Sequence, residues 1–105
     1  MQQIKISELT GAALDWAVCR CEGLRCVGNY AKSWRHCGPI IEREEITLAK
    51  VGRTLDDAIA PHPDCWCAHM DGAHSVYGPT PLIAAMRCYV ASKLGDVVAI
   101  PSELI

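Results

Sequence analysis

Cys65, Cys67, His69 and His74 fall within ten residues of one another and are of the types that ligate a borderline-soft metal. Thiolate and imidazole at neighbouring positions suit zinc, which accepts a tetrahedral set of such donors. Between them lies Asp71-Gly72, a strong two-residue hairpin signal, because a type I′ turn needs positive φ at both central positions. Such a turn pairs His69 with His74, Cys67 with Val76 and Trp66 with Tyr77 across strands covering 65–70 and 73–77. Side chains alternate along a strand, so Cys65, Cys67, His69, His74 and Val76 then share one face, with Trp66, Ala68, Met70, Ser75 and Tyr77 on the other. Cys-x-Cys-x-His lacks the paired Cys-x-x-Cys knuckles of structural zinc sites. The residues therefore favour no cofactor and leave zinc as the alternative at this face. The other cysteines read as small packed thiols: Cys19 and Cys21 are alternate helix positions that do not face each other, and nothing local marks a nucleophile.

The hairpin must be held by the elements around it, and the most legible of these follows directly. From Gly78 to Gly95, Thr80 suits the cap, Pro81 the first helical position and Gly95 the stop. The body is apolar nearly all round, with Leu82, Ile83, Met86, Val90 and Leu94 on a bulky side and Ala84, Cys88 and Ala91 in a small-residue stripe. Arg87, the charge in its middle, is expected to find a structural partner such as Asp15. A first helix over 9–22 carries a matching small stripe of Ala13, Ala17 and Cys21. With Thr10 as cap, Leu9 and Leu14 form a hydrophobic staple, and Gly23 ends the helix. The stripe of Ala84, Cys88 and Ala91 meets either this helix or a second copy of the chain, so a homo-oligomer is one expectation.

Between the two helices, 24–27 reads as a short strand and 28–37 as a loop, which makes Trp34 the aromatic residue best placed to meet a partner. Gly38-Pro39 opens a short helix over 40–45, with Pro39 at its first position and acids in its early turns. Glu42 and Arg43 lie on its solvated face as further interaction candidates. Ile46, Leu48 and Val51 suggest a strand, 53–63 a connection, and Val97, Val98 and Ile100 a closing strand. The expected fold class is α+β: two main helices and a short one packed on a small antiparallel sheet that contains the 65–77 hairpin, within a single domain spanning 1–105.

The chain has 105 residues, seven cysteines and a formal net charge of −2. That charge provides no broad basic field, so nonspecific nucleic-acid binding is disfavoured. No apolar run approaches the roughly 20 residues of a membrane span. The odd cysteine count, and a start without an apolar signal-peptide core, lead to the expectation of a cytoplasmic protein with reduced thiols.

Leu-Thr-Gly-Ala-Ala-Leu-Asp-Trp-Ala-Val at 9–18, Cys21-Glu22-Gly23, Gly-Pro-Ile-Ile-Glu-Arg-Glu at 38–44 and the whole of 78–95 resemble the small phage and prophage proteins of the NinX-like family. The order of elements is also similar, more loosely, to phage α–β–α sandwich domains. The resemblance implies a phage or prophage origin and expression inside a bacterial host, and assigns no catalytic residue. The 65–74 cluster lies outside these motifs and gains no shared chemistry from them. The function expected is an accessory protein that binds a host or phage protein, with a small metal-dependent or nucleotide-acting protein using the Cys/His face as the alternative.

Overall fold

The computed structural model describes residues 1–23, 30, 32–50, 66–71 and 75–104. In order, these form β1 (Gln2–Lys5), α1 (Gly11–Glu22), α2 (Trp34–Arg43), β2 (Thr47–Lys50), β3 (Trp66–His69), β4 (Val76–Gly78), α3 (Pro81–Leu94) and β5 (Val97–Ile100), with single 3₁₀ turns after β1 and β5. The α+β class holds. The strands, however, make two antiparallel sheets and not one: β1 pairs with β5, while β2, β3 and β4 pair in that order. Strand β1 has one apolar residue, Ile4, and so little periodicity to reveal it.

Helix α3 is the centre. It packs against α1, α2, β2, β3, β4, β5 and the first 3₁₀ turn, as a helix with no polar face must. Leu82, Ala84, Ala85, Met86, Cys88, Tyr89 and Val90 are all buried, and so is Arg87. The Arg87 guanidinium donates from Nε to the Leu9 carbonyl at 2.8 Å and from Nη1 to the Tyr77 carbonyl at 2.9 Å. The charge is thereby used to tie the start of α1 and the end of β4 to one helix. Thr80 Oγ1 accepts from the Ile83 N–H at 3.2 Å, and Pro81 opens the helix as expected. Gly95 ends it at φ 90° and ψ −171°, a glycine-only region rather than the left-handed one expected. Helix α1 stops on a left-handed Gly23, and its staple residues Leu9 and Leu14 are both fully buried.

Two expected boundaries are corrected. Helix α2 starts at Trp34, not at Ile40, and Pro39 sits inside it. Cys37, Ile40 and the half-buried Ile41 make a helical period that runs back through the proline. The ring removes the donor to the Arg35 carbonyl and crowds that carbonyl, at an exposed residue of the helix. The hairpin register also differs. Cys67 lies opposite Tyr77, and Ala68 opposite Val76, one residue away from the pairing a two-residue turn dictates. That slip moves Val76 to the core side with Ala68 and sends Tyr77 outward, 46% exposed. The strand expected over 24–27 and the connection over 53–63 lie outside the described residues.

Gly78 presses on the start of α3: a Cβ there would sit 2.6 Å from the Ala84 nitrogen and 3.0 Å from its Cα. Backbone atoms cannot swing aside, so Gly78→Ala should destabilise the fold by roughly 1–3 kcal/mol in urea unfolding. A Cβ at Gly38 meets nothing within 4 Å. The same replacement there should instead raise stability, by up to about 1 kcal/mol from helix propensity.

Candidate functional site

Three groups of polar or aromatic side chains stand out on this scaffold. The first joins the carboxyl ends of all three helices. Arg43 Nη2 meets Glu22 Oε2 at 2.7 Å, Nη1 meets Glu22 Oε1 at 3.1 Å, and Nε meets Glu44 Oε2 at 2.9 Å. The buried Tyr89 hydroxyl donates to Glu22 Oε2 at 2.5 Å, and Lys93 Nζ approaches Glu44 at 3.6 Å. Cations at helix C-termini also oppose the negative end of each dipole. Arg43, expected as a free interaction residue, is thus committed within the chain. Glu42 beside it is exposed.

Arg43's hydrogen bonds hold the Glu22 and Glu44 carboxyls below the ordinary Glu value, with Tyr89 adding to the effect at Glu22. The Glu22 bond in turn raises Arg43 further above its already high value, and burial raises the Tyr89 phenol. A carboxyl that ionises more easily when folded contributes its full stability above the ordinary value of about 4.5 and loses it as pH falls through the lower folded value. Stability should therefore decline as pH is lowered below about 4.5, and less steeply in Glu22→Gln, when unfolding is followed by circular dichroism.

The second group is the outer face of the β2–β3–β4 sheet. Register puts Thr47 beside His69, and Ala49, Cys67 and Tyr77 in one row. Cys67 and His69 share this face and are half-buried, but their cross-strand neighbours offer no second thiolate or imidazole. Cys65 and His74 lie outside the described residues. Among the described residues, no group of three or more metal-ligating side chains forms.

Elsewhere burial pushes the thiols of Cys21 and Cys88 up to about 11 and that of Cys37 up to about 12. These three stay protonated at neutral pH and are poor nucleophiles. Cys37 donates to the Tyr30 carbonyl.

The third group is the opening of α2. Trp34 is its first residue and is 56% exposed, while Lys32, Arg35 and His36 around it are exposed as well. Ser33 occupies the cap position, and its hydroxyl lies 3.0 Å from His36 Nδ1 instead of capping the helix. His36 in turn sets its ring edge-on to buried Tyr30, with centroids 5.8 Å apart. These contacts fix the turn that carries the indole. The sequence identified Trp34 as exposed but placed it in a loop. Lys32, in the turn before α2, and Arg35, in its first turn, were missed because the start of that helix was not recognised.

The small-residue stripe belongs to the interior: Ala84 and Cys88 are covered by the chain itself, and Ala91 is half-buried. No described helix is long and apolar enough to cross a membrane.

A family model described as Bacteriophage P22, NinX matches residues 25–93, well over half of the chain. The matched segment takes in α2, the β2–β3–β4 sheet and all of α3 but its last residue. No curated protein matches the chain.

Proposed function

The chain belongs to the bacteriophage P22 NinX family, and from that premise we propose that it serves the phage inside the host cell as a non-enzymatic accessory protein, binding a host or phage protein through the opening turns of α2. The observation that carries this is Trp34. Cores normally claim an indole, and tryptophan is the residue most enriched among the few that dominate binding energy at interfaces. Here it stands exposed on a helix whose adjoining face, carrying Cys37 and Ile40, is fixed in the core. An aromatic anchor on a rigid element loses little conformational entropy on docking. The match to the family covers this element in full.

A zinc-dependent role retains one support, Cys67 and His69 on one sheet face. About one equivalent of zinc in protein purified without a histidine tag would favour it.

Affinity capture from infected cells tests the leading reading. Trp34→Ala should unfold within about 0.5 kcal/mol of the native chain, as surface replacements do. It should also lose the partner, by about 2 kcal/mol or roughly 30-fold in affinity. A partner retained equally by Trp34→Ala, but released by Tyr77→Ala, would move the interface to the sheet.

A further inference from the structure

We infer that the segment bound by α2 is acidic and lays one apolar side chain over Gly38, against the Trp34 indole. This rests on the interaction reading above and adds the chemistry of the partner.

The shape comes from the helix itself. Gly38 follows Trp34 by four residues, so the two lie one above the other on the same side of α2. A Cβ at Gly38 would meet no heavy atom of the described residues within 4 Å. Gly38 itself is half-buried, so the surface there is a low notch with room for a side-chain carbon, with the exposed indole as one wall and the half-buried Ile41, a turn further on, as the other. Pro39 is exposed beside it and deprives the Arg35 carbonyl of its helical donor.

The charge comes from the residues at the rim. Lys32 and Arg35 are exposed on the Trp34 side of Gly38, while the exposed carboxylate of Glu42 stands one turn beyond it. At the other end of the helix Arg43 is neutralised by Glu22 and Glu44. Two exposed cations at the opening of α2, against the one carboxylate of Glu42 a turn beyond Gly38, select for an acidic stretch set on the Trp34 side of a chain of net charge −2. Single-stranded nucleic acid is the rival occupant, but it is held by successive aromatic platforms along a basic groove. Among the described residues the other largely exposed Trp or Tyr, Tyr77, stands on the β-sheet, and the His36 ring on α2 is set edge-on to Tyr30.

Titration of the full chain, followed by tryptophan fluorescence, compares three probes: a peptide of Asp and Glu around a central Leu, the same peptide with Lys replacing the acids, and single-stranded oligothymidylate. The acidic peptide should bind best, and more weakly as salt is raised. Lys32→Glu with Arg35→Glu should weaken it tenfold or more. Gly38→Ala, which leaves the helix at least as stable, should weaken it severalfold by filling the low ground. Equal binding of the basic peptide, preference for the oligonucleotide, or indifference to the charge reversals would each overturn the inference, as would no binding of the acidic peptide. If a Trp34-dependent partner is still captured in any of those cases, the interaction reading stands and only the acidic occupant is lost. If capture also proves independent of Trp34, both fall.

Discussion

A helix without a polar face has to be enclosed, and the enclosure of α3 is the constraint to which the other elements answer. Its fourteen residues run from Pro81 to Leu94, and every side chain from Ala84 to Val90 is buried. The other two helices and two small sheets supply the covering surface. Neither sheet is large: two strands in one and three in the other. Sheets of that size are marginal on their own and gain their stability from packing against helices. Burying Arg87 in the same helix would be costly without partners, and its bonds to the Leu9 and Tyr77 carbonyls turn that cost into a tie between segments distant in sequence.

The consequence for α2 is an unequal division of its two ends. The carboxyl end is drawn in by Arg43, which reaches Glu22 on α1 and the Tyr89 hydroxyl on α3. Cys37 and Ile40 hold the middle in the core. The opening turns, with Trp34, Arg35 and His36, are left facing solvent on a helix that cannot easily rotate to bury them. Rigidity at one end and exposure at the other are what an anchoring surface requires. The same packing buries Ala84 and Cys88 within the chain.

The sequence revealed most where several local signals agreed. Thr80, Pro81 and the apolar body of α3 pointed to one helix, as did Leu9, Leu14 and Gly23 for α1. It misled where one strong signal overruled a weaker pattern. Pro39 suggested a helix start, although Cys37, Ile40 and Ile41 already showed a period that ran through it. Asp71-Gly72 suggested a two-residue turn, and that single assumption displaced the β3–β4 register by one residue and reversed the face assigned to Val76 and Tyr77. Strand β1 was illegible because Gln2, Gln3 and Lys5 carry no apolar alternation; β5 supplies the pairing. The clamp of Glu22, Arg43 and Tyr89 joins three helix ends far apart in sequence, and no local pattern encodes such a meeting.

Native-state hydrogen exchange measures the organising role of α3 most directly, since amides in the least easily opened unit exchange only through global unfolding. The amides from Ala84 to Val90 should be the slowest of the described residues, with exchange free energies equal to the global unfolding free energy. Exchange from α3 that is faster than from α1 or from the β2–β3–β4 sheet would contradict its place at the centre of the fold.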